Sequence, residues 1–146
     1  MTDKMKREYP DRPLIGVGAI IIDRGRALVV RRATEPLKGE WSIPGGVLEL
    51  GETLRAGVVR EAREETGLDV LPIDVLEVYD RIVADEAGKT RYHYVLIDYL
   101  CQVTGGKLRA ASDVSEVRWL TEQELDSFPI ADAAEEVIRK GFAKAK

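Results

Sequence analysis

The sequence PGGVLELGETLRAGVVREAREETGL at residues 44–68 joins a pair of glycines to the clearest helical pattern in the chain. Apolar residues recur every four positions from Leu54 to Ala62, which predicts an amphipathic helix over residues 53–66. Gly67 follows, where a residue in the left-handed conformation often ends a helix. The segment therefore predicts a glycine-rich turn that leads into a single helix with one buried face.

Acidic side chains cluster on one side of this predicted helix. Glu61, Glu64 and Glu65 lie on an arc that borders the apolar face. Two carboxylates about 4 Å apart repel each other by roughly 4 kcal/mol at an effective dielectric constant near 20. Arg60 offsets part of this repulsion, and a divalent cation would offset more of it. Oxygen ligands without a supporting His or Cys cluster favour Mg²⁺ or Mn²⁺ over zinc. A solvated helix face with ordinary ion pairs is the competing interpretation.

Gly57 lies in the interior of the predicted helix, where glycine costs about 1 kcal/mol relative to alanine. We hypothesise that its missing side chain leaves room for the backbone of Gly45 and Gly46 to approach a metal ion. Gly57→Leu would then weaken metal binding before it unfolds the chain.

The spacing of these residues resembles the signature box of the Nudix hydrolases. Gly46, Glu52 and the run REAREETGL at 60–68 follow that pattern without a gap. The specific resemblance covers residues 44–68, and looser similarity extends along most of the chain. It implies the α/β (α+β) fold class, as a Nudix-type α/β/α sandwich with a mixed central sheet. It also implies Mg²⁺-dependent hydrolysis of a nucleoside diphosphate linked to another group, with Mn²⁺ as a substitute.

The resemblance also implies roles for individual residues. The metal ligands or close neighbours of the metal would be the Gly45 carbonyl, Glu61, Glu64 and Glu65. Arg60 would orient the carboxylates through salt bridges. Structural or outer-shell roles would belong to Gly46, Glu52 and Gly67. The family takes its general base from the box or from a later loop, so we expect Glu64 first and Glu116 as the loop alternative.

Arginines outside the box are weaker predictions. Arg31 and Arg32 end a predicted strand, so alternation sends one of them to each face of the sheet. Either would meet a substrate phosphate as readily as it would remain a surface charge. Arg12 and Arg81 are further substrate-binding predictions of the same kind.

The remaining pattern predicts one domain at residues 14–146 after an N-terminal arm at 1–13. Predicted strands cover residues 14–23, 27–32, 41–46, 76–84, 91–103 and 116–120. A helix is predicted to start at Thr121 and another to cover 131–146. This order indicates a mixed sheet packed between helices.

Composition limits the possible partners. The chain has 146 residues and a formal net charge of −4, which argues against polymeric nucleic acid as a partner. Cys101 is the only cysteine, which favours a reducing compartment, and we predict a cytoplasmic location. The pattern predicts no membrane partner and a small nucleotide-derived substrate. Composition does not determine the oligomeric state; the family resemblance, because many relatives pair through the sheet or the arm, suggests a homodimer.

The substrate is the least determined feature. The sequences around the box and at 93–101 resemble the ADP-ribose pyrophosphatase branch of the family, so we expect ADP-ribose or a nucleotide sugar. The proline of well-defined ADP-ribose hydrolases is missing, because Val83 and Ala84 occupy its place. Two alternatives remain: a house-cleaning nucleoside triphosphate pyrophosphohydrolase and a non-catalytic nucleotide-binding regulator.

Overall fold

The structure is a computed structural model, and it describes residues 6–34 and 37–145. Its strands are β1 Leu14–Asp23, β2 Arg26–Arg32, β3 Trp41–Ser42, β4 Gly45–Val47, β5 Leu68–Ala84, β6 Thr90–Gly106 and β7 Val114–Thr121. Its α-helices are α1 Leu54–Thr66 and α2 Asp132–Ala145, and a short 3₁₀ helix covers Gln123–Ser127. Part of the predicted arm, at residues 1–5, and Lys146 at the end of the predicted last helix lie outside the described residues.

The strands form a mixed sheet in the order β3-β2-β1-β6-β5. β1 pairs in parallel with β6 and antiparallel with β4, and β5 pairs antiparallel with β6. β7 pairs antiparallel with β2. α1 packs on one face of the sheet and α2 on the other, so the predicted α/β/α sandwich with a mixed sheet is confirmed.

Two hydrophobic cores hold the layers together. Val58 and Ala62 of α1 pack with Val17, Ala19 and other residues of the first face. On the second face, α2 contributes Val137, Ile138 and Phe142 to a cluster that includes Ile20. Alternate residues of β1 therefore serve the two cores, as the period of two in a strand requires. Neither α-helix in the described residues is long and apolar enough to cross a bilayer.

The strand boundaries depart from prediction at two prolines. β5 begins at Leu68, eight residues before the predicted start. Pro72 lies in this missed part, and a proline inside a run argues against a strand because it lacks a backbone N–H. The chain tolerates it at an irregularity in the β5–β6 register, between Pro72 and Asp74, on the outermost strand. The predicted strand at 41–46 is interrupted in the same way, at Ile43–Pro44.

Candidate active site

The caps of α1 fix the helix that carries the acidic residues. The Thr53 hydroxyl accepts a hydrogen bond from the Ala56 N–H at 3.1 Å. Gly67 adopts a left-handed φ of 75° and its N–H donates to the Arg63 carbonyl, as its position in the sequence predicts. Because both ends are capped, the three glutamates of the box have defined directions relative to the sheet.

The glycine pair lies directly against two of these glutamates. The Gly45 N–H donates to Glu65 Oε1 at 2.9 Å. A Cβ atom at Gly46 would lie 2.5 Å from Glu61 Oε1, and one at Gly45 would collide with the Val17 carbonyl. Only glycine therefore lets β4 pass between β1 and the carboxylates of α1 without displacing one of them.

The guanidinium of Arg60 contacts three carboxylates of the box. Its Nε and Nη2 donate to both carboxylate oxygens of Glu52, at 2.6 and 2.9 Å. Its Nη1 donates to Glu61 at 2.8 Å and to Glu64 at 3.3 Å. The hydrogen bond from Arg60 is the main cause of a lowered Glu52 pKa, and the same bond raises the pKa of Arg60. The guanidinium therefore connects Glu52, just before α1, to Glu61 and Glu64 in the second half of the helix.

The buried carboxylates are poorly stabilised as anions. The pKa of Glu65 is raised to about 8, mainly by burial and also by the nearby charges of Glu61 and Asp113, while the Gly45 hydrogen bond opposes the shift. Burial also raises the pKa of Glu61, although the hydrogen bond from Arg60 opposes this. The Glu64 side chain, in contrast, is half exposed. Two acids with raised pKa values thus lie beside one acid that solvent reaches.

Asp113 is the acidic residue that the sequence reasoning missed. The loop before β7 follows the end of α1, where the N–H groups of Arg109 and Ala111 donate to the carbonyls of Thr66 and Glu65. This path brings Asp113 near the Glu65 carboxyl, so that Asp113 contributes to the raised pKa of Glu65. The available signal was its position three residues before Glu116, in the segment from which the sequence predicted a loop acid.

The arrangement suits a divalent cation through its chemistry. Glu61, Glu65 and Asp113 supply only oxygen donors, and a hard cation beside them would favour their ionised forms. In the described parts of the chain, no three His, Cys, Asp or Glu side chains are spaced as a preformed metal cluster. Glu61 is directed at Arg60 and Glu65 at the Gly45 N–H.

The structure contradicts the reason that we gave for a glycine at position 57. A Cβ atom there would lie 2.8 Å from a methyl group of Leu48, 3.1 Å from Glu52 and 3.3 Å from Val17. Gly57 therefore makes room for the packing of Leu48 and for the Glu52 carboxylate, not for the glycine pair. Gly57→Leu would overpack this contact, so loss of stability would accompany any loss of metal binding.

The remaining predicted residues lie in other surroundings. Glu116 on β7 forms an ion pair with Arg31 at 3.8 Å, and Arg31 also donates to the Gly39 carbonyl at 3.0 Å. Arg12 pairs with Asp11 at 3.5 Å, with both side chains exposed. The two further substrate-binding predictions are Arg32, at the end of β2, and Arg81, on β5 opposite Tyr94. The acid that the structure brings to Glu65 is Asp113, not Glu116.

Comparison with known proteins agrees with this site. The model of the NUDIX domain matches residues 12–141, and the chain belongs to the Nudix family. Nudix hydrolases act on small nucleotide-derived substrates and generally use divalent metal ions. The chain is accordingly a hydrolase that acts on pyrophosphate bonds.

Individual relatives differ in their named substrates. An ADP-ribose pyrophosphatase of Methanocaldococcus jannaschii is 34% identical, over 92% of this chain and 75% of that protein. A Mycobacterium tuberculosis protein, whose name proposes an 8-oxo-dGTP diphosphatase activity, is 38% identical over 77% of this chain and 75% of its own length. The crystal structure of a MutT NUDIX hydrolase from Burkholderia pseudomallei superposes with a TM-score of 0.73 at 27% identity, covering 89% of this chain and 98% of that one.

Proposed function

We propose that the chain hydrolyses the pyrophosphate bond of a nucleoside diphosphate linked to another moiety, and that the reaction depends on Mg²⁺, with Mn²⁺ able to substitute. The observation that supports this most directly is the packing of Glu61 and Glu65 against the Gly45–Gly46 backbone, with Arg60 holding Glu61 in place. A surface row of ion pairs would not place two carboxylates with raised pKa values there.

The metal ligands in this proposal are the Gly45 carbonyl, Glu61, Glu64 and Glu65. A bound ion would neutralise charge on the bridging phosphates and lower the pKa of an attacking water. Arg60 restrains Glu61 and Glu64 through the hydrogen bonds described above, and Gly45 restrains Glu65 through its N–H.

The general base requires access to water. Glu64 lies in an open cavity of about 470 Å³ on the outer side of α1, which it shares with Arg60. We therefore assign the proton-accepting role to Glu64. Asp113 is the alternative from the loop, because it lies near Glu65, and Glu116, which lies on β7 and pairs with Arg31, becomes less favoured.

The variants Glu64→Gln, Asp113→Asn and Glu116→Gln separate these roles. With saturating Mg²⁺, we expect Glu64→Gln to lower kcat by roughly 100-fold or more, because general-base catalysis contributes about that much. We expect Glu116→Gln to change kcat little. A near-normal kcat in Glu64→Gln together with a large loss in Asp113→Asn would transfer the role to the loop.

For the substrate, we favour ADP-ribose or a nucleotide sugar. The support is the relative from M. jannaschii, whose name gives ADP-ribose as its substrate and which aligns over nearly the whole chain. The relative from M. tuberculosis supports the second candidate, a nucleoside triphosphate. Arg12, Arg31, Arg32 and Arg81 remain proposed phosphate contacts.

A substrate panel tests the whole proposal. Release of a mononucleotide and of phosphate or pyrophosphate is measured for ADP-ribose, nucleotide sugars and nucleoside triphosphates, with Mg²⁺, with Mn²⁺ and with excess EDTA. We expect activity on the linked diphosphates that EDTA abolishes and Mg²⁺ restores. Undiminished turnover in EDTA would contradict the metal requirement, and binding without turnover across the panel would favour the regulator.

A further inference from the structure

The buried acid Asp98 on β6 takes no part in the proposed chemistry. The residue is 2% exposed, and its Oδ2 is the one buried side-chain oxygen or nitrogen in the described residues that has no hydrogen-bond partner. A buried carboxylate oxygen without a partner lowers stability, so its presence in a folded chain requires an explanation. A ligand that donates a hydrogen bond to Oδ2 would provide one.

Glycine at position 18 makes room for this carboxylate. A Cβ atom at Gly18 would collide with Asp98 Oδ1 and would lie 2.7 Å from Cδ1 of Ile43. Gly18 shares its sheet face with Ile20 of the core beneath α2, because residues two apart in a strand point to the same side. The Asp98 carboxylate therefore lies on the α2 face, against the β1 backbone and close to Ile43.

The strand pairing places Asp98 near the acidic cluster of α1. Gly18 pairs with Asp98 on one side and with Gly45 on the other. Neighbouring strands are about 4.8 Å apart, so Gly45 and Asp98 are separated by about 10 Å across the sheet. Among the described strands β4 pairs only with β1, so its outer edge leaves a path between the two faces. Ile43 lies between β3 and β4 and is only partly buried, so a change of its rotamer would give a ligand access to Asp98.

The chemistry of a nucleotide determines which of its groups fits this carboxylate. Burial raises the pKa of Asp98 to about 6, so at pH 8 the ionised group only accepts hydrogen bonds. It would repel phosphate and carbonyl oxygens. The donors of a nucleotide are the ribose hydroxyls, close to the phosphates, and the N–H groups at the far end of the base. Because Asp98 is two strands away from Gly45, the base supplies the suitable donor.

We propose that Asp98 selects the base of the substrate by accepting a hydrogen bond at Oδ2 from the exocyclic amino group of adenine. One unpaired oxygen matches one amino group. Guanine and hypoxanthine carry a carbonyl oxygen where adenine carries this amino group, and the carboxylate would repel it. This inference rests on the proposed function and adds to it the residue that recognises the base.

The test compares nucleotides that differ only where adenine carries its amino group. Binding of AMP, IMP and purine riboside monophosphate to the unmodified chain is measured by calorimetry at pH 8, which requires neither turnover nor a variant. We expect AMP to bind roughly 10- to 100-fold more tightly than IMP, because a hydrogen bond to a charged group contributes about that much. Purine riboside monophosphate, which lacks both the amino group and the carbonyl oxygen, should lie between them.

Asp98→Asn replaces the acceptor with a side chain that also donates. We expect the preference for AMP over IMP to fall to near one, because the amide can donate to the carbonyl oxygen of IMP. The variant should remain folded, since it removes a buried charge. Glu77→Gln is the matched control, because Glu77 is opposite Asp98 on β5 but is partly exposed and paired with Lys140. It should keep the preference for AMP.

Several results would overturn the role of Asp98. They are equal binding of AMP and IMP by the unmodified chain, binding of neither nucleotide, and an unchanged preference in Asp98→Asn. An equal loss of preference in Glu77→Gln would indicate a general effect of charge and would also overturn it.

Steady-state kinetics with ADP-ribose and its hypoxanthine analogue distinguish this inference from the proposed function. If the unmodified chain hydrolyses both compounds with the same kcat/KM, only the selection of the base by Asp98 is wrong. If the chain prefers AMP in binding but hydrolyses no substrate of the panel, only the proposed hydrolysis is wrong.

Discussion

At the scale of single residues, the site depends on positions where a side chain would be too large. Gly46 is one of them, since a Cβ atom there would lie 2.5 Å from the Glu61 carboxylate. Glu61 has room to move because its side chain is at the rim of the core, 12% exposed. The cost of a larger residue would therefore fall on the position of the carboxylate more than on stability.

We predict that Gly46→Ala lowers kcat/KM by about 100-fold, because a shift of about 1 Å in a catalytic group costs that much. Its free energy of unfolding should change little. Gly105→Ala is the matched control, because a Cβ atom there meets only Asp69, at an ordinary 3.6 Å. Equal activity of the two variants would contradict this account of the Gly46–Glu61 contact.

Asp98 on β6 gives a prediction about pH. It is buried beside Gly18, and its Oδ2 has no hydrogen-bond partner in the described residues. Burial raises its pKa from 3.8 to about 6. The folded chain therefore binds more protons than the unfolded chain between these values, and the free energy of unfolding decreases as pH rises through this window.

Asp98→Asn removes this titration while keeping the shape of the side chain. We expect the variant to be more stable than the unmodified chain above pH 6, by on the order of 3 kcal/mol, because one pKa unit corresponds to about 1.4 kcal/mol. Below about pH 4 the difference should disappear. Urea unfolding of both proteins at several pH values measures this difference in the free energy of unfolding. If the two free energies change with pH in parallel, Asp98 does not titrate in this range.

At the scale of elements, the end of α1 positions the loop that carries Asp113. Gly67 has a φ of 75°, and a Cβ atom there would collide with the Lys107 carbonyl. The N–H of Lys107 donates to the Gly67 carbonyl at 3.1 Å, so helix end and loop are in direct contact. A side chain at position 67 would therefore push the loop away from Glu65.

We predict that Gly67→Ala destabilises the chain by at least about 3 kcal/mol and also lowers kcat. Gly88→Ala is the control at the β5–β6 turn, because Gly88 has a similar φ of 84° with open space around it. It should cost only about 1 to 2 kcal/mol, the strain of a left-handed alanine. If both variants lose the same stability, the contact with Lys107 has no energetic role.

At the scale of the whole molecule, the two cores have different relations to the site. Val58 in α1 and Val137 in α2 are both buried, at 0% and 2% exposure, in cores on opposite faces of the sheet. Only α1 carries the acidic residues. Stability should therefore depend on both cores, and catalysis mainly on one.

We predict that Val58→Ala and Val137→Ala each lower the free energy of unfolding by about 2 kcal/mol, because each removes two buried methyl groups. Val58→Ala should also lower kcat/KM, since Val58 packs α1, the helix that carries Glu61 and Glu65, against the sheet. Denaturant unfolding and steady-state kinetics on the same samples separate the two effects. A larger loss of kcat/KM in Val137→Ala would contradict this division.

The sequence by itself determined the features that depend on local order. The helix at 54–66, its Gly67 cap and the hairpin between β1 and β2 follow from the period of apolar residues and from glycine at left-handed positions. The spacing of Gly46, Glu52 and the run at 60–68 identified the family. These features involve residues close in the chain, whose relative positions the backbone geometry fixes.

Tertiary structure alone decided the features that join distant segments. Asp113 meets Glu65 only because the loop before β7 follows the end of α1, and Gly57 faces Leu48 only because β4 crosses beneath the helix. Pro72 is accepted within β5 because that strand is outermost in the sheet. Each contact depends on packing between segments that no local pattern encodes, so the structure had to supply it.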